Sequence, residues 1–387
     1  MAGPGEGLET ELELSIVIPC LNEAETLGFC VEKALGAIRR LGIAGEVVVA
    51  DNGSTDDSRA IAERLGARVV PVALRGYGAA LAEGFRRARG RFLLMGDADD
   101  SYDFSEIDGF LEKLRAGADL VMGTRLKGVI DPGAMPFLHR WLGTPVLTTL
   151  INVCFRTRIS DCNCGMRGLR KTAFEKLELR STGMEFASEM VLKSALHGLK
   201  IVEIPIHFHK DRRSRPPHLR TWRDGWRHLR FILLFAPNYL FLLPGGAMFV
   251  VGLFLLLTQI TGPLDLGFVT LDYHVMFVGS TLAISGYQLV TFGVFAKIFS
   301  HVEEFHRQSR LNRLFRVFRL ETGLLAGAFL FLVGLAFDAA IVVRWARAGF
   351  HDIQETRTAL FGLTMLVLGV QTIFSSFLYS LLGIARK

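Results

Sequence analysis

The chain has 387 residues, of which 50% are hydrophobic and 21% charged, and its formal net charge is +6 at pH 7. This composition is apolar for a soluble protein, and the excess lies after about residue 230, which disfavours an entirely soluble chain. The five cysteines contain no C-x-x-C pair, so reduced cytosolic thiols are favoured over a zinc site.

The first part of the chain alternates short apolar runs with helical patterns. Residues 1–13 are Gly-rich and acidic and are expected to form a flexible tail, without the features of a signal peptide. Residues 14–210 then predict an α/β domain, because amphipathic helices separate four runs that have the pattern of buried strands. The runs are Leu14–Pro19, Val47–Ala50, ARVVPV and RFLLM. This spacing predicts a mostly parallel sheet with right-handed crossovers.

Polar residues follow three of these strands, at the rim where open α/β sheets bind their ligands. Asn22 and Glu23 follow the first strand, Asp51 follows the second, and the acids of residues 97–100 follow the fourth. No GxGxxG follows the first strand and no GxxxxGK[ST] occurs. A nicotinamide-dependent oxidoreductase and a P-loop NTPase are therefore disfavoured.

The stretch RFLLMGDADDSYDF crowds acids at the tip of a predicted buried strand. An EF-hand is excluded, because the glycine and the final glutamate of that loop are both missing. A D-x-D pair suits Mg²⁺ or Mn²⁺ held jointly with substrate phosphates, and we predict that Asp97 and Asp99 are this pair. Capping of a turn is the alternative for the motif alone. Asp100 is expected to support the turn, and Asp103 to begin the helix that follows.

Four apolar stretches in the second part of the chain are long enough to cross a hydrocarbon core of about 30 Å. They are residues 239–260, 275–298, 323–343 and 358–384. Lys and Arg concentrate before the first stretch, between the second and third, and at the C-terminus, which places both ends in the cytoplasm. Arg344, Arg347 and Arg357 fall in a loop that this orientation places outside, and they argue against it. We expect a multi-pass protein of the cytoplasmic (inner) membrane with its first domain in the cytoplasm.

Residues 211–238, between the two parts, are basic and aromatic. Arginines and tryptophans at this place predict a helix at the level of the lipid headgroups. The adjacent apolar stretches favour the lipid bilayer over nucleic acid as its partner. Upstream, GTPVLTTLINVCF is too short to span a membrane and predicts either a core helix or a helix lying on the membrane surface.

Six stretches occur in the order that is typical of family 2 glycosyltransferases. They are SIVIPCLNEAETL, VVVADNGSTDDS, GYGAALAEGFRRARGRFLLMGDADDSYDF, DLVMGTRL, DCNCGMRGLRKTAFEKL and MEFASEMVLKSALHGLKIVEIPI. The chain most resembles the polyprenyl-phosphate sugar transferases, which include the dolichol-phosphate mannose and glucose synthases. The resemblance covers about residues 14–231. It implies a cytosolic GT-A (Rossmann-like) α/β domain followed by a four-helix transmembrane region at 239–387, a tail that only some members share.

The resemblance also implies roles for individual residues. The donor nucleotide would be bound by Pro19, Leu21, Asn22, Glu23, Asp51, Asp97 and Ala98. Asp97 and Asp99 would hold Mg²⁺ or Mn²⁺ on the donor diphosphate. The catalytic set would be Asp99, Arg125, Asp161, Arg167 and Glu189. Arg125 would face phosphates, Asp161 and Arg167 would shape the sugar and acceptor site, and Glu189 would lie behind it.

The acceptor phosphate would be met by Arg140, Arg215, His218 and Arg220. Two departures from the family pattern accompany this assignment. Asn52 stands where the family usually has a second acid, which leaves the specificity for the base open. Pro-His-Leu-Arg stands where the family often has Ser-Lys-Leu, so His218 and Arg220 are only candidates for that role.

The expected activity is metal-dependent, inverting transfer of one sugar from a UDP- or GDP-linked donor to a polyprenyl (undecaprenyl or dolichyl) phosphate. A phosphate monoester has a second pKa of about 6, so this acceptor is largely ionised at neutral pH and needs little help from a general base. A processive polysaccharide synthase is the second hypothesis, although its Q-x-x-R-W motif is missing. A non-catalytic membrane protein is the third. The sugar, the choice between UDP and GDP, and whether the chain forms an oligomer stay open.

Overall fold

The computed structural model describes residues 12–214, 221–302 and 320–384. The chain divides into two compact units, Met1–Ile232 and Leu233–Lys387. The first unit contains strands β1 (Leu14–Cys20), β2 (Gly45–Asp51), β3 (Arg68–Pro71), β4 (Phe92–Met95), β5 (Leu120–Ile130), β6 (Arg167–Arg170) and β7 (Ile201–Phe208). Its helices are α1 (Leu27–Leu41), α2 (Ser58–Arg64), α3 (Tyr77–Arg87), α4 (Asp108–Arg115), α5 (Thr144–Phe155), α6 (Lys171–Leu177), α7 (Phe186–Leu196) and, at its end, α8 (Thr221–Leu234).

The seven strands form one sheet in the order β3-β2-β1-β4-β6-β5-β7. All neighbours pair in parallel except β6, which runs antiparallel to both β4 and β5. The prediction of an α/β domain with a mostly parallel sheet is therefore confirmed. The antiparallel strand has the sequence RGLR, which is too short and too polar to show a strand pattern.

The centre of the sheet is buried on both faces, as is usual for parallel strands covered by helices. Ile16, Val17 and Ile18 on β1 are all fully buried, so consecutive side chains on opposite faces meet packed atoms. Helix α1 adds an apolar face with helical spacing and ends at Gly42, whose φ of 61° is the left-handed conformation that glycine adopts easily. This rigid centre brings the carboxyl ends of β1, β2 and β4 to one rim.

Long apolar helices dominate the second unit. A π-helical segment, Asn238–Leu242, continues into α9 (Leu243–Leu257), and α10 (Tyr273–Val302), α11 (Leu320–Arg347) and α12 (Thr356–Ile384) follow. A two-stranded hairpin of β8 (Leu264–Asp265) and β9 (Thr270–Leu271) lies between α9 and α10. Within the described ranges, four helices are long and apolar enough to cross a membrane, as predicted.

The third of these helices corrects one sequence-based expectation. It continues to Arg347, and the next helix begins at Thr356, so Arg344, Arg347 and Arg357 all belong to helices and not to a loop. The helix continues to Arg347 because the run from Ile341 to Arg347 contains no proline or glycine that would interrupt its backbone hydrogen bonds. Arg344 Nη1 lies 2.7 Å from the Glu355 carboxylate, and Arg357 pairs with Asp272.

Glycines bring the long helices into close pairs. A Cβ added at Gly252 on α9 would lie 2.3 Å from the Ala283 backbone nitrogen on α10. A Cβ at Gly334 on α11 would lie 2.6 Å from the Gly362 carbonyl oxygen on α12. Small residues of this kind let transmembrane helices approach closely, and van der Waals contact then holds them together.

Candidate active site

The turns that follow β1 and β2 are fastened to each other. Asn22 has a positive φ of 57°, and its Oδ1 accepts a hydrogen bond from the Thr55 backbone nitrogen at 2.7 Å. The backbone nitrogen of Asn22 donates to Ser54 Oγ at 2.9 Å, and that of Glu23 donates to Ser58 Oγ at 2.9 Å. The structure thus brings the predicted donor-binding residues of the two turns together. They are Pro19, Leu21, Asn22, Glu23 and Asp51.

Asp51 is fully buried and organises the second turn. Its carboxylate accepts hydrogen bonds from the backbone nitrogens of Gly53 and Ser54, both at 3.2 Å, and from Arg59 Nε at 2.5 Å. Burial by itself would raise the pKa of Asp51, but hydrogen bonds from Ser54 and Arg59 bring this pKa below its usual value. A contact between Asp51 and the base of a donor stays a prediction.

Asn52, which replaces the second acid of the family pattern, forms hydrogen bonds to the backbone of a neighbouring turn. Its Nδ2 donates to the Leu74 carbonyl at 2.8 Å, and its Oδ1 accepts from the Gly76 backbone nitrogen at 2.7 Å. An aspartate could not donate the first of these bonds. Asn52 therefore holds the turn that leads into α3.

The predicted metal pair lies at the end of β4 with both carboxylates held in place. Asp97 Oδ1 accepts a hydrogen bond from the Tyr77 hydroxyl at 2.9 Å, and Asp99 Oδ1 accepts one from Ser101 Oγ at 2.6 Å. Burial and the nearby charge of Asp99 raise the pKa of Asp97 to about 7, against the opposing hydrogen bond from Tyr77. Excess negative charge on hard oxygen ligands is what Mg²⁺ or Mn²⁺ would neutralise, so the two residues fit such an ion.

Ala98, between the two acids, is only 4% exposed and its side chain belongs to the hydrophobic core. A donor-binding role of Ala98 would therefore have to use its backbone groups.

A cation of the protein itself lies among these acids, and the sequence did not predict it. Arg213 Nη2 lies 2.5 Å from Asp99 Oδ2, and Arg213 Nη1 lies 3.3 Å from Glu23 Oε1. The segment after β7 carries this residue back across the acid turn, since the Arg212 backbone nitrogen donates to the Asp99 carbonyl at 3.2 Å. The available signal was the pair of arginines in DRR, residues 211–213, shortly after the family-like stretch that ends in IVEIPI.

The two remaining acids of the stretch have supporting roles. Asp100 has a positive φ of 61° and pairs with Lys33 at 2.8 Å and with Arg212 at 2.8 Å. The expectation that Asp103 begins a helix is wrong, because α4 begins at Asp108. Asp103 instead accepts hydrogen bonds from the backbone nitrogen and the Oγ of Ser105, at 2.9 and 2.7 Å, which stabilise a turn before that helix.

Arg125 and Asp161 form a buried ion pair beside the acids. Arg125 Nε and Nη2 donate to the two carboxylate oxygens of Asp161 at 2.7 and 2.9 Å, and the guanidinium lies 5.1 Å from the centre of the Phe208 ring. Arg125 lies within β5, at the point where its pairing with β7 is interrupted between Thr124 and Val129. Two of its nitrogens are thus engaged by Asp161, whereas the sequence predicted that Arg125 faces phosphates.

Arg167 and Glu189, both predicted to be catalytic, are buried and bonded to the backbone. Arg167 donates to the carbonyls of Cys162 at 2.7 Å, Cys164 at 2.9 Å and Ala187. Glu189 accepts from the Ser181 backbone nitrogen at 2.8 Å and pairs with Lys193 at 2.8 Å. The structure places both residues where they shape loops around the site.

The loop that Glu189 holds is connected to Asp97 through the start of α3. The Ala79 backbone nitrogen donates to the Thr182 carbonyl at 3.1 Å, and a Cβ added at Gly78 would lie 2.4 Å from the Ser181 carbonyl oxygen. The neighbouring residue Tyr77 is the one that donates to Asp97. Glu189 therefore acts on Asp97 indirectly, by fixing the start of α3.

We expect Gly78→Ala to destabilise the first unit by about 1–3 kcal/mol, because the new methyl group overlaps backbone atoms that cannot move freely. Thermal unfolding of the full chain in detergent measures this effect. Gly36→Ala is the matched control: Gly36 lies in α1 and its Cβ would meet nothing within 4 Å, so it should be neutral or slightly stabilising. Equal unfolding temperatures for the two variants would contradict the close approach.

Of the four predicted acceptor-phosphate residues, only Arg140 lies in the part of the chain that the structure describes. Arg140 lies in a π-helical turn, His139–Gly143, with its guanidinium 5.4 Å from the centre of the Trp141 ring. Arg215, His218 and Arg220 lie outside the described residues.

Two helices beside the site expose apolar side chains. On α5, Leu147 and Ile151 are buried whereas Val146 and Val153 are about half exposed, so the helix has one core face and one open face. On α8, Trp222 and Trp226 are exposed, while His228 Nδ1 lies 2.7 Å from Ser188 Oγ and attaches the helix to α7.

Comparisons with known proteins identify the family of the chain. The family model described as Glycosyl transferase family 2 matches residues 15–178, and that described as Glycosyltransferase family 2 C-terminal transmembrane region matches residues 294–383. The chain is 38% identical over 371 residues to the Low-salt glycan biosynthesis hexosyltransferase Agl6 of Haloferax volcanii, which covers 96% of this chain and 89% of the relative.

Two weaker likenesses complete the comparison. The Dolichyl-phosphate hexose transferase of Haloferax volcanii is 29% identical over 199 residues, which are 51% of this chain and 82% of the relative. A crystal structure of glucosyl-3-phosphoglycerate synthase from Mycobacterium tuberculosis with Mn²⁺ and UDP covers 58% of this chain and 78% of its own, with a TM-score of 0.44 and 19% identity.

Proposed function

The chain belongs to glycosyltransferase family 2, and from this premise we propose that it moves one sugar from a UDP- or GDP-linked donor to a polyprenyl phosphate. The family assignment covers a GT-A-like domain that is followed by four apolar helices. The observation that carries the finer proposal is the group of Asp97, Asp99 and Glu23 at one rim, with Arg213 among them. This group offers carboxylates for a cation and a guanidinium for a phosphate.

On this proposal the acids bind a divalent ion and the arginine changes partners. Asp97 and Asp99 would hold Mg²⁺ or Mn²⁺, with Tyr77 and Ser101 fixing the two carboxylates. The bound ion would stabilise the negative charge that develops on the departing diphosphate. Arg213 would exchange its bonds to Glu23 and Asp99 for bonds to phosphate oxygens, which a planar guanidinium can bind in pairs.

A lipid phosphate is the acceptor that agrees best with the charge around the site. An oxygen of the acceptor phosphate would attack the anomeric carbon, and the bond from that carbon to the diphosphate oxygen would break, with its electron pair leaving on the diphosphate. Displacement from the opposite face inverts the configuration of the sugar. Arg140 and the predicted Arg215, His218 and Arg220 would hold the incoming phosphate. Similarity to a protein named Dolichyl-phosphate hexose transferase supports this acceptor.

The four apolar helices would hold this chemistry beside its lipid substrate. We place the first unit on the cytoplasmic side of the inner membrane, as the distribution of basic residues in the short loops favours.

Transfer into a lipid fraction tests the proposal. The purified full chain is incubated with labelled UDP- and GDP-sugars, Mg²⁺ or Mn²⁺, and undecaprenyl or dolichyl phosphate. Label should enter the organic phase only with the phosphorylated lipid, and the matched polyprenol without phosphate should accept none. Label in insoluble polymer would instead identify a processive synthase. Absence of transfer from every donor would overturn the proposal.

The raised pKa of Asp97 makes metal binding depend on pH. Since protons compete with the ion for this carboxylate, Mn²⁺ affinity should rise about tenfold per pH unit below pH 7 and level off above it. In the metal-free protein, the stabilisation that comes from protonated Asp97 is lost as the pH rises toward 7. Tyr77→Phe removes the hydrogen bond that lowers this pKa, so the midpoint should move to higher pH. Calorimetric titration with Mn²⁺ checks both statements, and an affinity that is constant from pH 5.5 to 8 would contradict them.

A further inference from the structure

Three side chains with metal-binding atoms come together at the carboxyl ends of β5 and β7, on the same edge of the sheet as the turn that follows β4. Asp131 directly follows β5, His207 lies on β7, and His209 lies just beyond that strand. His207 Nε2 is 2.7 Å from Asp131 Oδ1, and His209 Nδ1 is 2.9 Å from Asp131 Oδ2. Each residue offers one potential ligand atom, and these three atoms lie within 4.8 Å of one another. None of the three belongs to the acid rim of Asp97 and Asp99.

The distances are close to those that a small divalent ion requires. A zinc ion binds histidine nitrogen and carboxylate oxygen at about 2.0–2.2 Å, so two ligands of a tetrahedral site stand about 3.3 Å apart. The nitrogen–oxygen distances of 2.7 and 2.9 Å would need to open by only about half an ångström. Rotation of the three side chains can supply that change without moving the backbone.

The chemistry of the ligands selects the kind of metal. Two imidazoles and one carboxylate suit Zn²⁺ or Co²⁺, whereas Mg²⁺ prefers oxygen ligands and water. The side chains of His207, Asp131 and His209 are 34%, 35% and 29% exposed, so an ion can enter and water can complete its coordination. Hydrogen bonds from both histidines lower the pKa of Asp131, which keeps its carboxylate charged.

The backbone around the cluster leads directly to the acid rim. The Asp131 nitrogen donates to the Phe208 carbonyl at 3.0 Å, and the His209 nitrogen donates to the Ser101 carbonyl at 3.0 Å. Four residues after His209, Arg213 lies among the acids. The pairing of β5 with β7 is interrupted after Thr124 and resumes for Val129 and Ile130, so the cluster lies directly beyond a short paired segment.

We propose that Asp131, His207 and His209 form a site for Zn²⁺ or a similar borderline metal, separate from the Asp97–Asp99 pair, which fixes the segment leading to Arg213. The ion replaces the two imidazole–carboxylate hydrogen bonds by three coordinate bonds. It joins the end of β5 to the last residues of β7 and to the segment that follows them. The site is structural, and its existence does not depend on the transfer reaction proposed above.

Binding of Co²⁺ and Zn²⁺ tests the proposal directly. The full chain is purified in detergent without a polyhistidine tag, stripped with a chelator, and titrated in excess Mg²⁺ to occupy the acid pair. One equivalent of Co²⁺ should bind with the visible absorption of a nitrogen-ligated ion, and Zn²⁺ should displace it. His207→Gln/His209→Gln should weaken binding at least about a hundredfold. His197→Gln, a substitution on α7, and Asp97→Asn/Asp99→Asn should leave it unchanged.

Hydrogen exchange supplies a second readout that does not require activity. The amides of His209 and Arg212 should exchange more slowly in the wild type with Zn²⁺ than without it, and the double histidine variant should show no such difference. If the double histidine variant binds the metal as tightly as the wild type, the metal binds elsewhere and the proposal is overturned. The same holds if the wild type binds no metal, because the cluster would then be held only by its hydrogen bonds. Failure of sugar transfer in the assay above would leave this result untouched.

Discussion

Replacement of Asp99 by Asn is expected to lower the rate of sugar transfer by about a thousandfold. The substitution keeps the size of the side chain and leaves an oxygen that can still accept the hydrogen bond from Ser101. It removes one of the two charges that would hold the divalent ion, and such an ion contributes several kcal/mol of charge stabilisation in the transition state. Because about 1.4 kcal/mol corresponds to a factor of ten, a loss of about 4 kcal/mol gives this magnitude.

Asp103→Asn is the matched control for this prediction. Asp103 belongs to the same acid stretch, but its carboxylate accepts from Ser105 and lies 3.6 Å from Lys33 Nζ. The carboxylate of Asp103 thus stabilises the turn before α4. The rate of sugar transfer by Asp103→Asn should therefore stay within about threefold of the wild type. Both variants are assayed at saturating donor, and Mn²⁺ binding is measured alongside. Asp99→Asn activity within tenfold of the wild type, with normal folding, would contradict the metal role of the acid pair.

The sequence predicted the parts of the fold that depend on local pattern. The buried runs of β1, β2 and β4 each end in polar residues, and parallel strands necessarily bring such ends to one rim. The apolar helices of the second unit were predicted from length and hydropathy alone, and only their ends differ from the prediction. Strands β5, β6 and β7 were not among the four predicted strands. Strand β6 has only four residues of mixed polarity, which carry no periodicity.

The partners of the charged residues could not be predicted in the same way. Arg213 meets Glu23 and Asp99 across separations of 190 and 114 residues, and no local pattern encodes such a contact. Likewise, the sequence offers Arg125 and Asp161 as two separate polar residues of plausible motifs. Their contact depends on the fold, because β5 carries Arg125 and the loop before β6 brings Asp161 to within 2.7 Å of it.

The ion pair of Arg125 and Asp161 leads to the second large effect. Asp161→Asn should lower the free energy of unfolding of the first unit by about 3–5 kcal/mol, since it leaves the buried charge of Arg125 without its partner. Burial alone would raise the pKa of Asp161, and the Arg125 guanidinium brings this pKa below its usual value, which shows that the charged form is the one stabilised. The double variant Arg125→Met/Asp161→Leu removes both charges and should be less destabilised than the sum of its single changes.

The surface pair of Arg40 and Asp108, which is also bidentate, provides the control. Arg40 donates to both carboxylate oxygens of Asp108, at 2.7 and 2.6 Å, but the two side chains are 51% and 50% exposed. Asp108→Asn should therefore cost less than about 1 kcal/mol, because water replaces the lost charge interaction. The readout is thiol labelling of Cys162 and Cys164 in the full chain, since both are buried beside Asp161 and react only when the unit opens. Similar labelling rates for Asp161→Asn and Asp108→Asn would show that burial does not set the strength of the Arg125–Asp161 pair.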